Sequence, residues 1–298
     1  MSYVFTGTAT NHADLLDKVI GHLTGTGMGT EAWTQLALDS TSVPGERFAY
    51  LKAPGLAGTD NIYINIRQYA NVGSDIYNWH VRGAVNYSNA AGYIFSNQPG
   101  TSPSGTVPLW NSSIPYWLIA NGRRFILIAK VSTTYQSVYA GLYLPYATSS
   151  EMPYPMAIMC SASGEQRWSA GNYTVSGFWD PIDASSYVRH WDGNWVRISN
   201  MQYRTDGNRY GLTDSNSWPW ELDYKIGQNQ DLSYGLLPCI LHSNYSSGNV
   251  YGELEGVFFV SGFSNAAEDT ITIGADTYLV VQSVYRTGRL DYSAIKLG

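Results

Sequence analysis

The sequence predicts a mainly β protein with two β-sandwich-like portions and one short helix near the N-terminus. Three observations carry that prediction. Apolar and polar residues alternate with period two over most of the chain from Glu46 onward. Asn-Gly, Asp-Gly and other Gly turns recur at short intervals, as short antiparallel strands require. One stretch only has clear helical spacing.

That stretch comes first. Asn11 is placed to cap a segment in which Leu15, Leu16, Val19, Ile20 and Leu23 recur at three- and four-residue steps until Gly25 stops it. A Gly- and Thr-rich link, Gly25 to Thr30, leads into Trp33 to Leu38, whose type the pattern leaves open. Ile62, Ile64 and Ile66 then alternate with Tyr63, Asn65 and Arg67. Tyr77, Trp79 and Val81 alternate likewise with Asn78, His80 and Arg82, so both stretches are expected as half-buried strands. From about Asn86 to Pro108, Ser, Gly, Asn and Pro accumulate, which predicts a long surface loop of the kind that makes contacts.

The clearest hairpin runs from Tyr116 to Val131. Asn121-Gly122 at its centre suits a type I′ turn, and Phe125-Ile-Leu-Ile-Ala129 suits a strand covered on both faces, hence a sandwich or packed pair of sheets. A strand from about Ser137 to Leu144 ends at Pro145, and Met152 to Pro155 reads as extended and irregular. Asp192-Gly193, Asp206-Gly207 and Gly274-Ala275 each mark a further hairpin. Ser, Gly and Pro accumulate again between Met152 and Gly177, the best candidate for a boundary. The expected organisation is therefore an N-terminal helix and connecting segment (1–45), a first β-sandwich-like domain (46–160) and a second β domain (161–298). Val-Ser-Gly-Phe occurs at Val175–Phe178 and at Val260–Phe263, a weak signal of internal duplication.

Composition narrows the function. The chain has 24 Tyr and 10 Trp, while charged residues make up 13% against a usual value of roughly 25%. Broad rigid rings with little surface charge suit surfaces committed to contacts. A secreted β protein or a glycan binder uses the same aromatics, and composition alone does not choose. The net charge of −6 and the lack of any basic run argue against nucleic acid as a partner. Arg123-Arg124, the one close basic pair, is expected at a turn, solvated or in salt bridges. No apolar run approaches the roughly 20 residues that span a bilayer, so no membrane span is expected. Cys160 and Cys239 are far apart and outside any Cys/His cluster, and are expected as free buried thiols without zinc. Asn-x-Ser/Thr sequons fall at Asn86, Asn111, Asn172 and Asn244. No signal-peptide pattern precedes them, so in a protein made in a bacterial cytosol they are chance.

Local signals for catalysis are weak. Asp180 with Asp183, Glu253 with Glu255, and Glu268 with Asp269 are the carboxylate pairs a hydrolase would need. Glu253 and Glu255, flanked by Gly252 and Gly256, are expected on one strand face, where such pairs are far more often a solvated rim. His12, His22, His80, His190 and His242 show no metal-ligand spacing, and His80 and His190 are expected as exposed polar positions. The expectation is no enzyme, no cofactor and no metal. Exposed Trp could instead stack on sugar rings: Trp191, Trp195, Trp218 and Trp220 cluster, and Trp218-Pro219-Trp220 is the most platform-like piece. Trp218 and Trp220 are thus the candidate glycan or partner contacts.

Several stretches carry a resemblance beyond periodicity. They are Pro108-Leu-Trp-Asn-Ser-Ser-Ile-Pro-Tyr-Trp117, Ala120-Asn-Gly-Arg-Arg-Phe-Ile-Leu-Ile-Ala-Lys-Val131, Tyr143-Leu-Pro-Tyr-Ala-Thr148 and Pro153-Tyr-Pro155. With Tyr77-Asn-Trp-His-Val-Arg-Gly83, Tyr251-Gly-Glu-Leu-Glu-Gly-Val-Phe-Phe259, Glu268-Asp-Thr-Ile-Thr-Ile273 and Arg286-Thr287, they resemble a group of bacteriophage tail or baseplate virion structural proteins, from about residue 45 onward. The resemblance implies a virion component assembled in the bacterial host cytoplasm. Its partners would be other phage tail or baseplate proteins, with several symmetric copies of the chain itself. The motifs bring no catalytic residues with them. Receptor or host-surface glycan binding at the tail tip is the alternative, and a cell-envelope polysaccharide depolymerase ranks behind it.

Overall fold

The computed structural model describes residues 2–55, 61–90, 94–171, 174–178, 185–198, 200–201, 228–243 and 249–298. Among them the chain order begins β1 (Tyr3–Ala9), α1 (His12–Thr24), β2 (Thr34–Asp39), β3 (Arg47–Ala53), β4 (Ile62–Asn71), β5 (Ile76–Ala84), β6 (Gly105–Leu109) and β7 (Ile114–Ala120). It continues with β8 (Arg124–Val131), β9 (Thr134–Leu142), β10 (Leu144–Pro145), β11 (Met156–Cys160), β12 (Ser185–Arg189), β13 (Trp195–Arg197) and β14 (Asn200–Met201). The last strands are β15 (Leu237–Ser243), β16 (Asn249–Val260), β17 (Thr270–Ile273), β18 (Asp276–Gln282) and β19 (Tyr292–Lys296). The protein is mainly β, and its described residues form three antiparallel sheets with one short N-terminal α-helix.

The sheets form two sandwich-like portions that share a layer. The shared sheet has the order β1-β7-β8-β9-β11-β12-β13; one neighbour is β2-β3-β4-β5-β6, and the other is β14-β15-β16-β19-β18-β17 with β10 beside β16. The run Phe125–Ala129 explains the sharing. Phe125, Leu127 and Ala129 point into a core built with α1 and the β2–β6 sheet. Ile126 and Ile128 point the other way, into a core with Leu254, Val257, Leu279 and Ile295. All five are fully buried, so β8 reads as a continuous apolar run. Each of the Phe, Ile and Leu side chains contributes about 1.5–3 kcal/mol by leaving water, and truncating Leu127 to Ala at this junction costs about 2–5 kcal/mol. The shared sheet is continuous across position 160, because β11 pairs on one side with β9 and on the other with β12.

The helix follows its local chemistry. Asn11 Oδ1 accepts from the amides of Ala13 and Asp14, each at 2.9 Å, which satisfies two of the donors a helix start leaves open. Leu15, Leu16, Val19, Ile20 and Leu23 form the buried face. Gly25 ends the helix in an extended conformation, with Gly21 O so close that a Cβ would meet it at 2.6 Å. Trp33–Leu38, left open by the sequence, is β2 with the residue before it.

Three expectations are corrected. The strands β4 and β5 are not half-buried: Asn65, Asn78 and His80 on their polar face are as buried as Ile64 and Trp79 on the other. Two loop segments cover that polar face. Asn78 grips one, donating to Gln166 O at 2.7 Å and accepting from Gln166 N at 2.9 Å. Arg82 donates to Ser102 O at 2.8 Å and Phe95 packs on Phe48, holding the other. The long loop also ends earlier than expected, since β6 takes in Thr106 and Pro108 at the sheet edge, where a missing amide is tolerated. The β7–β8 turn is not type I′, because neither Asn121 nor Gly122 has a positive φ. Asn121 Oδ1 instead accepts from the amides of Arg123 and Arg124 at 2.8 and 3.1 Å, an Asx-type turn centred on Gly122-Arg123. The hairpins at Gly193 and Gly274 do use positive φ, +88° and +63°.

Candidate assembly edge and aromatic cleft

The carboxylate pairs among the described residues do not converge on a common point. Glu255 is held by Arg123 (2.6 Å), Asn121 Nδ2 (2.8 Å) and Arg124 (3.8 Å), so the basic pair is a salt-bridge pair and Arg124 is fully buried. Glu253 instead accepts from the Tyr146 hydroxyl at 3.2 Å. Glu268 pairs with Lys130 at 2.5 Å and accepts from Tyr135, and those bonds keep its carboxyl below the usual range. Asp269 caps the amide of Ala266. Asp180 and Asp183 lie outside the described residues.

His12, His80 and His190 are buried in the fold. His80 and His190, expected as exposed, are each 5% exposed. His80 lies under the covered face of β4–β6, with Thr106 Oγ1 at 3.3 Å from Nδ1 and Glu165 at 3.7 Å from Nε2. Burial, with Arg67 adding to it, lowers its pKa to about 4, so the ring is neutral at pH 7. Arg67 itself is held bidentately by Glu46 at 2.5 and 2.7 Å. His190 is buried because its hairpin tip folds onto Tyr251 of β16, ring centroids 5.9 Å apart, while Asp192 Oδ1 lies 3.0 Å from its Nδ1. His12, also lowered by burial to about 4, meets Gln68 Nε2 at 2.8 Å. Alternation alone could not reveal these, since it separates two strand faces without saying what covers each. Among the described residues no three His, Cys, Asp or Glu side chains gather as a metal set, and no helix is long and apolar enough to cross a membrane. Cys160 and Cys239 are buried and form no disulfide.

The tryptophans separate. Trp195 packs against the first core and donates to Gly100 O at 2.9 Å. Trp191, at the tip of the β12–β13 hairpin, is 65% exposed. Trp218 and Trp220 lie outside the described residues. Beside Trp191 is a cleft of about 630 Å³, walled by Ala147, Ser150, Glu151, Met152, Pro153, Val250 and Tyr251.

The edges of the sheets differ in protection. β1 pairs with β7 over all seven residues and, among the described residues, with no strand on its other side. It carries no charge and no proline, and Val4, Thr6 and Thr8 on its outer face are exposed. Tyr3 and Phe5 on the opposite face pack against the first core, Phe5 stacking on His22 at 4.5 Å. Among the described residues the other edges are short or guarded: β2 has a bulge between Gln35 and Ala37 and ends at Asp39, β6 contains Pro108, β13 has three residues and ends at Arg197, β14 has two, and β17 has four. The sequence signal for β1 is short, the alternation of Tyr3, Phe5 and Gly7 with Val4, Thr6 and Thr8. Compared with protein-family models and with curated proteins, the chain matches none.

Proposed function

We propose that the chain is a structural component of a bacteriophage virion, in the tail, tail tip or baseplate, and that it acts through protein–protein assembly. The observation that carries the reading is the open edge of β1. A seven-residue strand whose outward-pointing backbone groups meet no strand among the described residues, and which has no charge, proline or bulge, is a template for a strand from another chain. Two copies of β1 related by a two-fold axis pair antiparallel with themselves, which makes the contact isologous and the assembly a symmetric homo-oligomer. The resemblance of the β5, β7–β8 and β16–β17 stretches to virion structural proteins supplies the setting. The low charge density reduces repulsion between copies.

The test has two parts. Light scattering of the purified chain is expected to give a defined oligomer, and Thr6→Lys, which adds a charge to the exposed face of β1, is expected to shift it to monomer. Antibody-labelled electron microscopy of purified particles is expected to place the protein in the tail. Absence from the particle, or a monomer at every concentration, removes the proposal.

A further inference from the structure

We propose that the cleft beside Trp191 binds one pyranose ring of an oligosaccharide, with the indole as its stacking platform. The platform is held in place before any ligand arrives. His190 N donates to Asn194 O at 2.7 Å, Gly193 N to His190 O at 3.0 Å and Asn194 N to Asp192 Oδ1 at 2.9 Å, closing the hairpin tip. The His190 ring supports the indole from 5.0 Å. Little ordering is left to oppose binding.

The cleft has the mixed chemistry a sugar requires. A pyranose presents an apolar face of C–H groups and a rim of hydroxyls, so it needs an aromatic surface with hydrogen-bonding groups beside it. Trp191, Met152, Pro153 and Val250 supply the apolar wall, and Ser150 and Glu151 the polar one. Glu151 Oε2 accepts from Thr148 N at 3.0 Å and Thr148 Oγ1 at 2.7 Å. Those bonds hold its carboxyl below the usual range, so it stays ionised as an acceptor for sugar hydroxyls. A volume of about 630 Å³ lies within the roughly 300–1,000 Å³ of small-ligand sites. An apolar protein surface seated here would bury the Glu151 carboxylate with Thr148 as the donor to Oε2 alone and, among the described residues, nothing for Oε1, which is costly; a sugar hydroxyl supplies that second donor. The site is independent of the β1 edge, so either proposal can fail alone.

The experiment titrates the full chain with cellotriose, chitotriose and maltotriose, reading tryptophan fluorescence and calorimetric heat. Saturable binding of at least one is expected. Trp191→Ala should weaken it roughly tenfold or more, Trp191→Phe less, and Glu151→Gln detectably. Because Trp191 is exposed, Trp191→Ala should keep the wild-type melting temperature and oligomeric state, which separates a lost site from a lost fold. No saturable binding of any of the three overturns the proposal, as does equal affinity of Trp191→Ala.

Discussion

Glu255→Gln tests whether the second sandwich-like portion is locked to the shared sheet by charge. Glu255 sits on β16, while the three groups it holds, Asn121, Arg123 and Arg124, sit on the β7–β8 turn of the shared sheet. Arg124 is 1% exposed and, among the described residues, keeps two other bonds, to Ile119 O at 3.1 Å and Ser2 Oγ at 3.0 Å, with no partner for its Nε. A glutamine preserves the bond from Asn121 and removes the anion. Breaking a buried pair from one side costs about 3–5 kcal/mol. The 19% exposure of the Glu255 side chain screens part of that, and the half-buried Arg123 contributes under about 1 kcal/mol. The expected loss is about 2–4 kcal/mol, or a fall in Tm of about 4–16 °C for a cooperative domain of this size. Urea unfolding followed by tryptophan fluorescence measures it. Glu268→Gln is the control, because its partner Lys130 is 34% exposed; its loss should stay under about 1 kcal/mol and vanish at high salt. A loss under about 1 kcal/mol for Glu255→Gln would refute the reasoning.

Three further outcomes are expected. Burial holds His12 and His80 at about 4 against an ordinary 6.5. The folded chain therefore favours the neutral rings, and their contribution is complete above pH 6.5 and lost as pH falls toward 4, by up to ~3 kcal/mol each. Urea midpoints across that window should fall less steeply in His12→Asn and His80→Asn, and an unchanged slope would contradict the assignment. Burial pushes the Cys160 thiol up, and Cys239 is equally enclosed, so a thiol reagent should label neither in the native protein and both in guanidinium; rapid native labelling would show otherwise. Gly141 sits at φ +133°, where a Cβ would meet Arg123 O at 2.3 Å, so Gly141→Ala should cost about 3 kcal/mol or more in chemical denaturation.

Much of the fold is legible in the sequence because its signals are local. Asn11, the Leu15–Leu23 spacing and Gly25 mark α1 almost to the residue, and Phe125–Ala129 announces a layer buried on both sides. What local patterns omit is the third dimension. Asn65, Asn78 and His80 look like a solvated face until the segments carrying Phe95 and Gln166 are seen lying on it. Glu255 looks like part of a solvated strand rim until its ion pair with a turn 132 positions earlier is seen. Of the aromatic cluster, only Trp191 is exposed among the described members, a distinction that depends on which hairpin tip folds against β16.

The pairing of Tyr3 with Ala120 also sets a timetable. Ribosomes add roughly 5–20 residues per second, so β1 emerges about 6–23 s before its partner strand has been made. Throughout that wait its seven uncharged residues are available along both edges to any neighbouring nascent chain. A polysome making this protein therefore brings together many copies of one sticky segment, and chaperone capture of the first residues should raise the yield of folded product more than slowing any later step.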